Sequence, residues 1–342
     1  MRAMILSDTS DVHDKPLVLQ ELPEPKPGPG EILIKVSACG VCRTDLHIVE
    51  GELPVHKQNV IPGHQVVGIV KKTGHGVTRF KRGSRVGVAW LHHTCCNCGF
   101  CNRGDENLCL NAGFTGYDID GGYAEYTVIH EDFAYELPDD FPDLKVAPLL
   151  CAGIIGYRTY KLSNIQPGSR VGIFGFGAAA HITIQIALYQ GCEVYVFTRG
   201  ESRRELAITM GARWAGNSTD NPGVKLDSSM IFAPAGDLVP TALGLTERGG
   251  TVALGGIYMS PIPPMDYTKH LYHERTLRSV MNATRKDGKE LLELAAKIPI
   301  NSTITTFPLE ETNEALIALK DGNIDGAAVI QIAENFPPGA TD

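Results

Sequence analysis

The sequence predicts an α/β chain of two domains, one built on a doubly wound parallel sheet and the other mainly β. Three observations carry that reading. From Ser169 onward, short buried strands alternate with helical stretches, the order of repeated βαβ units. Before about residue 148, strands and turns follow one another without a helix-length amphipathic stretch. The length of 342 residues also exceeds what a single typical core organises.

Taken in order, a Pro/Gly-rich lead from Pro23 to Gly30 delivers EILIKVSA, Glu31 to Ala38, which alternates as a half-buried strand does. VVGIV (66–70) and RVGVAW (85–90) are apolar, β-branched and separated by glycine turns. SRVGIFGFG then reads as a buried strand, AAAHITIQIALYQG as a helix ending at glycine, and CEVYVFTRG as a second buried strand. A helical ESRRELAITMGA, an apolar SSMIFAPAG, a helical DLVPTALGLTERGG and a strand TVALGGI continue the alternation. After residue 281 come the amphipathic DGKELLELAAKI, the β-like TITTFPL, the helical EETNEALIALKDG and the strand AAVIQIA. Pattern alone leaves open whether these extend the parallel sheet or return to the first half.

A net charge of −8 would repel phosphodiester backbones and anionic lipid, so nucleic acid and membrane surfaces are excluded as expected partners. No apolar run reaches a membrane span, and MRAMILSDTS lacks the regions of a signal peptide, so a soluble cytoplasmic protein is expected. Of nine cysteines, five fall between Cys95 and Cys109, a clustering that favours metal over disulfides in a reducing compartment.

Within TCCNCGFCNRGDENLC, Cys95, Cys98, Cys101 and Cys109 stand at C-x2-C-x2-C-x7-C. One loop at this spacing wraps four thiolates around Zn²⁺, and an all-sulfur set closes the coordination sphere, which makes the site structural. Polar neighbours such as Asn97, Asp105 and Glu106 are not those of core thiols. Cys96 adjoins Cys95 and is left outside the set. A catalytic zinc instead takes three ligands from separated segments, and Cys42, His64 and Cys151 offer such a set. Spacing alone leaves a packed histidine and buried thiols as the other reading.

Gly175-Phe176-Gly177-Ala178-Ala179-Ala180 is G-x-G-x-x-A between a buried strand and a helix, the context of the Rossmann dinucleotide fingerprint. Gly175 and Gly177 allow the pyrophosphate to approach, Ala180 permits close packing, and the helix N-terminus supplies positive character. Thr198 stands at the end of the second strand, where NAD-selective sites place an acid. With no carboxylate there, the cofactor expected is NADP in preference to NAD, its 2′-phosphate paired by Arg199, Arg203 or Arg204. The other reading makes these arginines a solvated helix face.

CGVCRTDLHIVEGELP, IPGHQVVGIV, the four-cysteine loop, GGYAEY, LLCAGIIGYR, GFGAAAH and the late GGI, in this order, make the chain resemble the zinc-containing medium-chain alcohol dehydrogenases over nearly its whole length. The resemblance implies a GroES-like catalytic domain over 1–152 and 281–342, carrying both zinc sites, and a Rossmann domain over 153–280. It implies that Cys42, His64 and Cys151 hold the catalytic zinc, that Asp45 orients His64, and that Thr44 and His47 pass the substrate proton to solvent through the cofactor ribose. Arg43 is implied as a cofactor contact. Trp90 would wall the alcohol pocket, with Leu53, Phe114 and Ile257 completing an apolar lining suited to slim primary alcohols. Two zinc ions per chain and a homodimer or homotetramer follow by the same resemblance. One departure stands out: where the family reads Gly-His-Glu, this chain has Gly63-His64-Gln65.

The activity expected is reversible hydride transfer between NAD(P) and an alcohol or aldehyde. A zinc-free quinone or enoyl reductase would lack the metal cysteines, and a non-enzymatic zinc-stabilised nucleotide sensor would not need Cys42, Thr44, His47, His64 and Cys151 together.

Overall fold

In the computed structural model, which describes residues 1–138, 141–298, 300–324 and 326–333, the chain divides into two units, Met1–Cys151 with Thr284–Asp342, and Ala152–Ala283. In the first, β1 (Arg2–Leu6) and β2 (Leu17–Glu21) form an antiparallel ribbon. β3 (Glu31–Val41) extends the alternating EILIKVSA by three residues and leads directly into α1 (Arg43–Val49), a short helix that the strand-and-turn reading missed. β4 (Gln65–Thr73) and β5 (Arg85–Val88) then lie antiparallel in succession. β6 (Leu91–His93) and β7 (Gly113–Phe114) pair around the cysteine loop, which holds a helical turn, α2 (Gly99–Asn102), and a 3-10 turn over Glu106–Leu108. β8 (Tyr126–His130), β9 (Ala134–Glu136) and α3 (Asp143–Val146) complete this stretch.

The second unit opens with α4 (Ala152–Leu162) and alternates as the sequence predicts: β10 (Arg170–Phe174), α5 (Ala178–Tyr189), β11 (Glu193–Phe197), α6 (Glu201–Thr209), β12 (Trp214–Gly216), β13 (Leu226–Ile231), α7 (Leu238–Leu245), β14 (Thr246–Leu254), α8 (Tyr267–His270) and β15 (Thr276–Ser279). All six strands are parallel, in the order β12-β11-β10-β13-β14-β15. Counted within the unit this is 3-2-1-4-5-6, the Rossmann order, with its switch point between β10 and β13. The helical reading of TERGG is corrected here. Thr246 is already extended (φ −76°, ψ 138°), its hydroxyl donates to the Ala242 carbonyl, and Thr246–Gly250 belong to β14. A β-branched residue followed by a glycine pair, one at φ 74°, disfavours further helix.

The last segments return to the first unit. α9 (Arg285–Ala295) starts in a capping box of Thr284 and Asp287, and β16 (Ile304–Pro308), α10 (Thr312–Asp321) and β17 (Ala327–Gln331) follow. β17 runs antiparallel to Ala38–Val41 of β3, while β8 covers Glu31–Lys35, so the buried β3 is paired on both edges along its length. The resulting seven-stranded sheet runs β16-β17-β3-β4-β5-β9, with β8 also on β3. Its apolar side chains, including Ile32, Ile34, Val66, Val86 and Ile129, build the core that holds the residues considered next. No helix among the described residues is long and apolar enough to cross a membrane.

Candidate functional site

Cys42 ends the turn out of β3 in extended geometry (φ −142°, ψ −178°) and sits at the N-terminus of α1. His64 follows Gly63, which at φ 93° takes a conformation that side chains rarely adopt, and directly precedes β4. Cys151 closes a 3-10 turn over Ala147–Leu150. Although Cys42 and Cys151 are 109 positions apart, their sulfurs lie 3.8 Å from each other, and His64 Nε2 is 3.4 Å from Cys42 Sγ. The edges of a zinc tetrahedron with ordinary bond lengths are about 3.8 Å between sulfurs and about 3.5 Å between sulfur and nitrogen. The three donors therefore match the spacing a single ion requires, and an unsupported group of buried thiols would have no reason to do so.

Asp45, fully buried on the first turn of α1, ties two of these residues together. One carboxylate oxygen accepts the Cys42 backbone N–H at 2.8 Å and the other faces His64 Nδ1 at 3.2 Å. With Nδ1 turned to Asp45, Nε2 is the nitrogen that faces the sulfurs and would ligate an ion held between them. Burial pushes the His64 imidazole toward its neutral form, but the Asp45 charge, the Cys42 thiol and the hydrogen bonds to both outweigh it and raise the pKa to about 10. Bonding to Cys151 and burial push the Cys42 thiol up. The pocket calls for a positive charge.

Trp90 stands edge-on to the His64 ring, 4.9 Å between centroids at 75°, and stacks on Phe114 at 5.0 Å. Leu53, Trp90 and Phe114 pack against the same core, Trp90 with its stacked Phe114 being the part that reaches His64, whereas Ile257 lies in the second unit and is 56% exposed. Thr44 is buried on α1 and Arg43 is exposed at its first position. His47 is largely covered and bonds through Nδ1 to Glu52. Gln65 is buried with its side-chain amide nitrogen unpartnered; the strand opposite supplies Gly40, where any Cβ would come within 2.6 Å of Gln65 Oε1.

In the cysteine loop, the Cys98–Cys101 and Cys95–Cys109 sulfur pairs are 3.5 Å apart and the Cys95–Cys101 pair 4.0 Å, again tetrahedral edge lengths rather than disulfide bonds. The Asn97 backbone N–H, with help from Cys109, lowers the Cys95 thiol to about 6, while burial raises Cys101 to about 11. Cys96, at φ 57°, is exposed and outside the cluster. Glu106 of this loop is gripped by Arg285, whose Nε lies 3.0 and 2.9 Å from its two oxygens. Cys39 and Cys192 are buried core thiols.

In the second unit, Gly175 needs its φ of 89° and leaves no room for a Cβ, which would meet the Ala233 backbone nitrogen at 2.8 Å. Gly177 caps α5 without a side-chain bond, and a Cβ there would point into open space. The first N–H groups of this twelve-residue helix and the open space beside Gly177 are where a pyrophosphate would bind. Ala180 is buried under this turn. Thr198, directly after β11, is buried, whereas Arg199 and Arg203 are exposed. Arg204 is engaged with Asn217 at 3.0 Å.

Residues 28–139 match the alcohol dehydrogenase GroES-like domain and residues 178–297 the zinc-binding dehydrogenase domain, together more than half of the chain. A probable alcohol dehydrogenase AdhA of Mycobacterium tuberculosis is 50% identical over 313 residues, 90% of each chain. An alcohol dehydrogenase of Geobacillus stearothermophilus is 35% identical over 98% of this chain and all of its own. The chain belongs to the zinc-dependent medium-chain alcohol dehydrogenases. Among solved structures, a cinnamyl alcohol dehydrogenase of Sorghum bicolor superposes with a TM-score of 0.88 at 27% identity over 99% of both chains. The cinnamyl-type enzyme of Helicobacter pylori in complex with NADP(H) does so with 0.86 at 27% identity, covering 98% of this chain and all of that one. The protein is accordingly an NAD(P)-dependent alcohol dehydrogenase with a GroES-like and a Rossmann-like part.

Several residues of this dehydrogenase's site were not singled out from sequence. Glu52 sits in the GELP that follows α1, five positions after His47 and past the end of the helix, so no helical spacing pointed to it. Tyr117, stacked on Trp90 at 5.9 Å and bonded to the Pro54 carbonyl, had none. The Arg285 grip on Glu106 joins residues 179 positions apart and leaves no local trace.

Proposed function

We propose that the enzyme interconverts slim primary alcohols and their aldehydes with NADP(H) as the preferred dinucleotide. It carries two zinc ions per chain and works as a cytoplasmic homodimer or homotetramer. The catalytic domain is 1–152 with 281–342, and the cofactor domain 153–280. The observation that carries the reading is the tetrahedral edge spacing of Cys42, His64 and Cys151.

When bound, zinc supplies Lewis acidity toward an alcohol or carbonyl oxygen, and the dinucleotide takes or gives the hydride. The chain does the rest. Cys42, His64 and Cys151 would hold the ion, while Asp45 accepts the Cys42 backbone N–H and faces His64 Nδ1 in one contact set. Thr44, donor and acceptor at once, would accept the alcohol proton as it donates its own toward the cofactor ribose, and His47, anchored by Glu52, would pass a proton from the ribose to water. Trp90, perpendicular to His64 and backed by Phe114, narrows the approach to unbranched substrates. The neutral Gln65 adds no charge beside the ligands. In the second unit the α5 N-terminus receives the pyrophosphate, and Arg199 with Arg203 receives a 2′-phosphate that Thr198 does not repel. Cys95, Cys98, Cys101 and Cys109 hold the structural ion.

Zinc counting on the purified chain, combined with initial rates of aldehyde reduction using NADPH and NADH, tests this reading. Two ions per chain and a higher kcat/KM with NADPH are expected. A single ion in fully active enzyme removes the two-site assignment, and a preference for NADH removes the strand-end one.

A further inference from the structure

Trp90, edge-on to His64, is layered against two further rings. It stacks on Phe114 at 5.0 Å between centroids and on Tyr117 at 5.9 Å, with interplanar angles of 11° and 23°. Tyr117 carries the layering one step on, since the His56 ring lies 4.5 Å from it at 36°. Tyr117 is buried, and its hydroxyl donates to the Pro54 carbonyl. Burial, with the Asp118 carboxylate beside it, holds the phenol above its ordinary pKa, so the group stays a donor throughout the working range of pH.

Pro54 belongs to an irregular strap that leaves α1 at Gly51 and runs to Lys57. The first part of the strap is fixed from behind, because the Glu52 and Leu53 N–H groups both donate to the His47 carbonyl, at 2.9 and 3.2 Å. Pro54 has no N–H to give, and from there the strap is tied sideways to residues 117–120. In order, the Pro54 carbonyl meets Tyr117, His56 Nδ1 meets Asp118 at 2.7 Å, and Lys57 meets Asp120. The two ion pairs are partly exposed, and pairs of that kind contribute little. The tie to Tyr117 is the shielded one. Leu53, Pro54 and Tyr117 also line a common void of about 20 Å³, room for one water, so close packing alone does not hold the strap down.

We propose that Tyr117 is a positioning residue for substrate width: its ring sets Trp90, its hydroxyl sets the strap of Leu53 and Pro54, and one side chain thereby fixes the gap between the two. This rests on the reading in which Trp90 and Leu53 flank the alcohol. A fixed gap rejects branching beside the reacting carbon, whereas a strap released from Tyr117 yields to it.

Tyr117→Phe removes the tie and keeps the stack. With NADPH as reductant, kcat and KM are measured for butanal and for 2,2-dimethylpropanal in wild type, Tyr117→Phe, Tyr117→Leu, Trp90→Leu and the Trp90→Leu, Tyr117→Phe double variant. Zinc content and NADPH affinity are taken alongside. Wild type is expected to favour the linear aldehyde. In Tyr117→Phe that preference should fall about fivefold, the scale of one hydrogen bond, through a lower KM for the branched substrate, with zinc content and NADPH affinity unchanged. Tyr117→Leu takes away the stack as well and should lower the preference further; if it does not fold, Tyr117→Phe decides alone. In Trp90→Leu one side of the gap is already gone, and Tyr117→Phe should then change the preference less than twofold. An unaltered preference in Tyr117→Phe overturns the proposal, as does an equal loss with both aldehydes, which is what a merely structural role would give. A fivefold change that persists in full without Trp90 overturns it too. Wild type that reduces both aldehydes equally well defeats the reading of Trp90 as a pocket wall and the proposal with it, and that outcome is distinguishable because it appears before any variant is compared.

Discussion

The two sulfur sites of the first unit are opposites in construction. The loop from Cys95 to Cys109 gathers four thiols within one short stretch around α2, so few residues need be ordered to bring them together. The site of Cys42, His64 and Cys151 draws on the end of β3, the turn before β4 and the turn after residue 147, and exists only when the sheet has formed. The local site is braced from outside by the grip of Arg285 on Glu106. The assembled one is backed by Asp45 and Trp90 in its immediate surroundings. A local site can serve as a fold's fastening, whereas an assembled one depends on the fold and is free to serve chemistry.

The largest effects test this division. Cys151→Ser should lower turnover by several orders of magnitude and remove one zinc per chain, with the melting temperature little changed. Cys95→Ser should remove the other ion and lower the melting temperature by several degrees, at roughly 2 to 4 °C per kcal/mol for a domain of this size. Zinc counts, melting curves and initial rates on the two variants suffice. If Cys151→Ser unfolds the chain while Cys95→Ser leaves it intact, the division is reversed.

Legibility in the sequence follows the same line. The four-cysteine spacing and the strand–glycine–helix of residues 170–189 are local, and their physical meaning can be read without the fold. By contrast, Cys42, His64 and Cys151 were bare candidates until the resemblance named them, because nothing in their spacing says that β3 and β4 bring Gly40 opposite Gln65. α1 escaped the pattern since seven residues are too few to display a helical period, yet it carries Thr44, Asp45 and His47. The return of β17 to β3 was undecidable for a related reason: Ala327–Gln331 is apolar enough for either sheet, and its antiparallel partner is the distant Ala38–Val41. Thr246–Gly250 misled because an apolar helix runs into it with no proline between.

The next effect carries the comparison to the second unit, where the residues proposed to hold the cofactor phosphate are again local in sequence. A charge-assisted arginine to phosphate contact is worth about 1.5 to 3 kcal/mol, so Arg199→Ala should weaken kcat/KM for NADPH by roughly tenfold to a hundredfold. NADH, lacking the phosphate, should be unaffected. Thr198→Asp should go further, repelling the phosphate and offering the ribose an acceptor. Arg204, already bonded to Asn217, should matter least of the three. Steady-state kinetics with both cofactors decide it, and an Arg199→Ala enzyme of unaltered preference means the phosphate is held elsewhere.

Smaller again is the proton path beside the assembled site. His47→Gln should slow alcohol oxidation by roughly tenfold, with the deficit growing as pH falls and release of a proton to solvent becomes harder. Zinc content should not change, because His47 bonds to Glu52 and lies outside the ligand set. Glu52→Gln should give a weaker form of the same profile. Rate–pH curves identical to wild type would take His47 out of the path.

The smallest effect is on stability, at the strand that leads into the cysteine loop. His92 on β6 is 7% exposed, its Nε2 lies 3.3 Å from the Val128 carbonyl, and its Nδ1 has no partner. Burial, only partly opposed by that carbonyl, lowers its pKa from 6.5 to about 4. The unfolded chain therefore binds a proton at this residue through a range in which the folded chain does not. Its contribution is present in full above pH 6.5, falls away as pH drops toward 4, and amounts to at most about 3 kcal/mol across that window. His92→Phe keeps the bulk, removes the unpaired nitrogen and abolishes the titration, so the stability gap between variant and wild type should shift in the variant's favour as pH falls from 6.5 to 4. Carboxylates titrate in both proteins and cancel in the difference. Denaturant unfolding of the zinc-loaded pair at several pH values reads that difference directly, and a gap independent of pH would mean that the imidazole is already protonated, or hydrated, in the folded state.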